Sequence, residues 1–232
     1  MRALFGRSYV RRMTDIASTE LEASPPSAGW LRFFAFAYDP FLWLGEIAGM
    51  RGRRSTLLSS ACGRVVEIGA GTGLNVACYP DGIAELVLIE PDSAMRRKLA
   101  RRLQRYPRDA RIVDAPAERL PLADASVDTV VSTLVLCTVN DPERALREIA
   151  RVLRPDGQLL FVEHVRASSR FLAACQDYLL QPWRRFAAGC RCNRPTVELM
   201  RACGFEVAAD DGVWRGMPPI VRPLMVGRAT TR

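Results

Sequence analysis

Glu67, Gly69, Gly71, Gly73 and Asn75 alternate along the run Val-Val-Glu-Ile-Gly-Ala-Gly-Thr-Gly-Leu-Asn at residues 65–75. Three glycines so close together, with Ala70 among them, leave backbone bare for a ligand, because no Cβ stands in the way. Val65, Val66 and Ile68 read as a buried strand ahead of the turn. Residues 73–79 are expected to open a helix whose free N–H groups and positive end face the same space. A dinucleotide fingerprint needs glycines at the first, third and sixth positions, but the sixth here is Leu74. The carboxylate of Glu67 also suits a ligand with a positive charge and hydroxyls better than a pyrophosphate.

The pattern Glu67-x-Gly69-x-Gly71-x-Gly73 resembles the first motif of class I S-adenosylmethionine-dependent methyltransferases. A second apolar strand, residues 85–90, ends in Glu90, followed by Pro91. A carboxylate at that tip can accept both hydroxyls of a ribose. Ala117-Glu118-Arg119-Leu120-Pro121 resembles the adenine-binding segment of these enzymes. Many relatives carry Asp just before this Ala; here Pro116 has neither an acceptor side chain nor an N–H, and Asp114 is the nearest substitute. The resemblance implies S-adenosylmethionine as cofactor, held by Glu67, Gly69, Ala70, Gly71, Gly73, Asn75, Glu90, Pro91, Ala117, Glu118, Thr133 and Leu134.

The acceptor side carries less information. Methylases of base amines typically have an Asn-Pro-Pro-Tyr-like motif after the fourth strand, whereas this chain reads Ser-Thr-Leu-Val-Leu-Cys-Thr-Val over 132–139. Such a lining suits a small, rather hydrophobic molecule. Leu134–Val139, Arg151–Pro155, Glu163-His164-Val165, Gly189-Cys190 and Arg194 are similar to the methyltransferase-like alkyl-thiol S-methyltransferases of animal membranes. That likeness covers about residues 50–228, without a clear N-terminal membrane anchor. It implies a thiol as methyl acceptor, with a phenol or quinol as the alternative. A membrane-surface protein that binds the cofactor without useful turnover is a further alternative.

A thiol reacts as its thiolate, with a free pKa near ~8.5, so an imidazole, ordinarily near ~6.5, is a matched base. His164 is expected at the carboxyl end of the fifth strand, where open α/β sheets place ligands, as base or acceptor-orienting group. Alternation puts His164 and Val162 on one face and Phe161, Glu163 and Val165 on the other. Tyr38, Cys137 and Arg194 complete the expected acceptor site, with Cys137 as a small hydrophobic wall.

These residues need a scaffold. Strands at 64–69, 85–90, 110–114, 127–135 and 157–165 alternate with helices at 92–105 and 141–153, which predicts a Rossmann-like, doubly wound α/β fold. The sheet is expected to be mostly parallel and closed by antiparallel strands at 205–210 and 220–228. An amphipathic helical insertion over 168–193 is expected to cap the substrate side, within a domain spanning 51–232. Residues 1–28 are basic, then polar, and read as a flexible tail too weakly apolar for a signal peptide. Residues 29–50 crowd Trp30, Phe33, Phe34, Phe36, Tyr38, Phe41 and Trp43 among Arg32, Asp39, Pro40 and Glu46. Those charges speak against a bilayer span. The segment reads as a cap over the site or an interfacial helix on a membrane, and the need to exclude water favours the cap.

The net charge of +8 is nearly all arginine. Its densest cluster, Arg96 to Arg108, is expected to be a solvated helix face. With only Tyr106 near it, nucleic acid is not an expected partner. Seven scattered cysteines point to reduced thiols and a cytoplasmic location, with peripheral membrane contact through 29–50. No metal is expected: Cys190-x-Cys192 is thin for a zinc site, and His164 lies far off in sequence.

Overall fold

The computed structural model describes residues 27–106 and 108–231. Residues 1–26 of the expected tail lie outside them. Seven strands form one sheet: β1 (Arg64–Ile68), β2 (Glu85–Ile89), β3 (Ala110–Val113), β4 (Val127–Thr133), β5 (Leu153–His164), β6 (Phe205–Val213) and β7 (Pro223–Thr231). Their order is β3-β2-β1-β4-β5-β7-β6. The first five run parallel, and β7 runs antiparallel to both β5 and β6. The chain reverses its direction of travel across the sheet between β1 and β4. A crevice opens at the carboxyl ends of the strands at such a switch point. Ile68 pairs with Ile89 on one side and Ser132 on the other, so the tips of β1, β2 and β4 lie level.

The central strands β1, β2 and β4 are largely buried on both faces because helices cover both faces. Val66, Ile68, Val87, Ile89 and Val130 pack into one cluster, while Val65, Leu86, Leu88 and Val131 pack into another. That sorting is strand alternation at work.

Among the described residues seven helices surround the sheet: α1 (Ala28–Gly45), α2 (Arg51–Leu58), α3 (Ser93–Arg105), α4 (Pro142–Val152), α5 (Arg170–Tyr178), α6 (Leu180–Phe186) and α7 (Thr196–Ala202). Asp92 caps α3 by accepting from the N–H groups of Ala94 and Met95. Asp141 caps α4 through Arg144, with Pro142 in the first turn. One π turn, Glu46–Met50, joins α1 to α2, with Gly49 at φ 128°.

The helix expected over 73–79 does not form. Only a 3₁₀ turn, Val76–Cys78, follows the glycines. Gly73 is left-handed at φ +83°, and Tyr79 is extended ahead of Pro80, as a residue before proline prefers to be. Neither end of the segment can continue a helix.

The arginine cluster is only partly a solvated face. Arg97, Arg101 and Arg105 are exposed. Arg102 instead bonds Asp39 of α1 at 3.0 Å, and Lys98 lies 3.7 Å from the same carboxylate. Thr72 donates to Asp39 at 2.6 Å, so α1 is fastened to the glycine turn itself. Phe186 of α6 packs edge-on against Phe41 of α1, with ring centres 5.4 Å apart. Among the described residues no helix is long and apolar enough to cross a membrane.

Candidate active site

A cavity of about 480 Å³ opens at the carboxyl ends of the parallel strands. Gly69 and Gly71 form its floor, at φ +55° and +56°. A Cβ on Gly69 would lie 2.6 Å from the side chain of Val135, so only glycine lets the turn meet the loop after β4. A Cβ on Gly71 would meet nothing nearer than the Gly69 carbonyl at 3.9 Å. The space above Gly71 is free for a ligand.

Glu90 lines the cavity from the tip of β2. One carboxylate oxygen accepts the Gly71 N–H and the other the Asp92 N–H, each at 2.8 Å. Pro91, Ala117, Glu118, Leu134, Tyr38 and His164, all named from the sequence, also line this space. Asp114 does not: it pairs with Arg96 at 2.6 Å, and Pro116 takes the wall position.

A recess of about 20 Å³ adjoins the cavity, shares Tyr38, Gly69 and Gly71 with it, and is also lined by Glu67, Ala70 and Thr133. The Glu67 carboxylate accepts from the Tyr79 hydroxyl at 2.7 Å and the Asn75 amide at 2.8 Å. Burial pushes its carboxyl from 4.5 up to about 7, against the pull of those two donors and of Arg54. Burial likewise drives the Tyr38 hydroxyl far above its ordinary range. Asn75 accepts from Arg54 at 2.9 Å and donates to Thr133 at 3.0 Å. Asn75 and Gly73 lie beneath the turn and line neither space.

The far side of the cavity is apolar. Leu31, Phe34, Phe41 and Leu42 of α1 face Trp214, Met217 and Val221 across it. His164 ends β5, is 5% exposed, and stacks on Trp214 with ring centres 5.6 Å apart. Its Nδ1 lies 3.3 Å from Cys137 Sγ and 3.5 Å from Cys190 Sγ, and the two sulfurs are 3.8 Å apart. His164 and Cys190 line the cavity; Cys137 stands behind them rather than in the wall. His164 and the cysteines, far apart in sequence, are brought together by the fold.

Arg194 is displaced from its expected role. Its buried guanidinium donates to the carbonyls of Leu136 and Val139 and does not line the cavity. Glu163, missed as a functional residue, holds the same loop from the other side. Its fully buried carboxylate accepts from the Ser132 hydroxyl at 2.7 Å and from the N–H groups of Val135, Leu136 and Cys137 at 3.0, 3.0 and 3.2 Å. The loop needs both, because Leu134 turns it through a left-handed φ of +61°, a conformation that costs energy in a residue with a Cβ.

Comparison with known proteins accords with this geometry. Residues 66–161 match a family described as a methyltransferase domain. Human thiol S-methyltransferase TMT1B is 35% identical over 182 residues, covering 74% of this chain and 73% of its own. Human thiol S-methyltransferase TMT1A is 36% identical over 167 residues, covering 70% of this chain and 64% of its own. A crystal structure of a SAM-dependent methyltransferase from Thermotoga maritima superposes with a TM-score of 0.66 at 25% identity, covering 88% of this chain and 99% of that one.

Proposed function

The chain belongs to the S-adenosylmethionine-dependent methyltransferases, and from that membership we propose that its acceptor is a small, fairly hydrophobic thiol. The observation that carries the reading is the shape of the cavity: one end is floored by Gly69 and Gly71, the other is apolar and reaches His164. S-adenosylmethionine supplies the methyl group on a sulfonium. The open backbone at Gly71 and the carboxylate of Glu90 suit its nucleoside. Pro116, Ala117 and Glu118 wall the space for its base. Glu67, in the recess, faces the place for the ammonium of the amino-acid end. These groups leave the acceptor half to α1, the 134–139 loop and the strand-end His164.

The thiol reading is supported by two human relatives that are thiol S-methyltransferases and by an acceptor half that is mostly apolar, with Tyr38, Thr138, His164 and Cys190 among its few polar groups. His164 engages the acceptor sulfur there. The acceptor must lose its proton before it can attack, and it must lie in line with the methyl group. The roof from α1 keeps water away from both. Mass-spectrometric detection of methyl transfer to a panel of alkyl thiols, phenols and amines tests this. Thiol products that vanish in His164→Ala are expected; turnover confined to phenols or amines would discard the thiol.

We also infer that the outer face of α1 rests on a membrane surface. Phe36, Trp43 and Leu44 of α1 and Ile47 of the π turn that follows it are more than half exposed, while the inner face of α1 serves as the cap. Apolar acceptors partition into lipid, so a site at the interface meets them at higher concentration.

A further inference from the structure

We propose that Cys137, His164 and Cys190 form a zinc site with its fourth position open to the acceptor end of the cavity. All three ligand atoms lie within 4.8 Å of one another, and all three residues are buried.

The spacing fits zinc closely. Tetrahedral bonds of about 2.3 Å to sulfur and about 2.0–2.1 Å to nitrogen set two sulfurs about 3.8 Å apart and sulfur from nitrogen about 3.5 Å. The protein holds its sulfurs 3.8 Å apart and its two sulfur–Nδ1 pairs at 3.3 and 3.5 Å. These are three edges of a tetrahedron whose centre would receive the ion with little movement. A metal-free account has only a chain of weak thiol hydrogen bonds; in either account His164 Nε2 is buried without a protein partner. With Nδ1 as ligand, Nε2 carries the proton and can donate to whatever enters the cavity.

The shell around the ligands is built to hold them. Glu163 fixes the N–H of Cys137, and Arg194 takes the carbonyl of Leu136 just before it. The carbonyl of Cys137 accepts from the N–H of Arg191, the residue after Cys190, at 2.7 Å. That bond ties the two cysteine-bearing segments together. Trp214 holds the plane of the imidazole. Outer partners of this kind orient metal ligands and tune affinity. Among the described residues no fourth histidine, cysteine or carboxylate joins the group. Structural zinc sites are closed by four protein ligands, whereas sites with three leave room for substrate.

The inference rests on the thiol reading for what fills that position. An acceptor thiol binds the ion through sulfur and releases its proton to solvent, since a coordinated thiol is deprotonated outright. The bound sulfur then uses a lone pair to form the new S–CH₃ bond while the methyl–sulfonium bond breaks. Products are a thioether and S-adenosylhomocysteine, with no change of oxidation state. A neutral thioether is a poorer zinc ligand than a thiolate and leaves.

The test uses the full chain. Elemental analysis of protein purified under reducing conditions should give about one zinc per chain. After chelation, titration with Co²⁺ should yield the intense red-region bands and sulfur-to-cobalt charge transfer of a tetrahedral thiolate site. Cys190→Ser and His164→Asn, shown folded by circular dichroism, should lower metal affinity at least about 100-fold. Butanethiol should shift the cobalt bands of wild type. Weak octahedral cobalt spectra in wild type, unchanged affinity in both variants, or a Cys137–Cys190 disulfide in place of metal would each overturn the site. Cobalt bands indifferent to butanethiol would overturn its role towards the acceptor. Thiol methylation without metal would sink this proposal alone, and metal without thiol methylation would sink the thiol reading alone.

Discussion

Glu90 accepts the N–H of Gly71 at 2.8 Å, so the tip of β2 braces the glycine turn that follows β1. An ionised carboxylate has about four acceptor positions. Gly71 and Asp92 use two of them, leaving others for a ribose diol. Hydrogen bonds to a charged group contribute about 1.5–3 kcal/mol each. Glu90→Ala should therefore weaken S-adenosylmethionine binding by about 10- to 100-fold in isothermal titration calorimetry. An unchanged affinity would remove Glu90 from the cofactor site.

Glu67 should make stability and binding depend on pH in opposite senses. Burial raises its carboxyl from 4.5 to about 7. Between those values the folded chain keeps a proton that the unfolded chain has released, so stability falls as pH rises through the window. The melting temperature of the ligand-free protein should carry that slope, and Glu67→Gln should flatten it. A cationic ligand prefers the ionised form, so cofactor affinity should rise as pH passes about 7 in wild type and stay level in the variant. Parallel profiles for the two proteins would show that Glu67 does not titrate there.

Membrane contact through α1 and the π turn after it can be tested on their exposed side chains alone. Phe36, Trp43 and Ile47 are 74%, 59% and 61% exposed, so replacing all three by serine should leave the fold nearly untouched. Co-sedimentation with anionic vesicles should fall at least about tenfold, since burying each such side chain contributes about 1.5–3 kcal/mol. Equal binding by wild type and the triple variant would place any membrane contact elsewhere.

The sheet was readable because its central strands carry short apolar runs, Val65-Val66, Leu86–Ile89 and Val130-Val131, and because capped helices follow β2 and β4, and both physical signals are local. Glu67, the glycines and Glu90 were readable for the same reason: each sits at a strand end, where chemistry and punctuation coincide. The short turn after Gly73 was not, since three glycines can open a helix or prevent one, and only the observed φ values distinguish the two outcomes. Glu163 was assigned to the face opposite His164 and lies there, but the N–H groups it serves come from residues 26 to 28 positions earlier. Arg194 reaches carbonyls 58 and 55 positions away. Cys137, His164 and Cys190 are separated by 27 and 26 residues, so no motif spacing marks them as neighbours. Pairings across connections of that length depend on how loops fold over a strand end, which local pattern does not encode.

Leu31, Phe34, Tyr38, Phe41 and Leu42 wall the same chamber as Gly71 and His164. Cutting away α1 to study attachment to lipid would therefore breach the reaction vessel as well. A truncated enzyme that loses turnover would report a missing wall and flooding by solvent, whatever became of its location. Any test of lipid attachment through α1 therefore has to be confined to the side of the helix that faces away from the chamber.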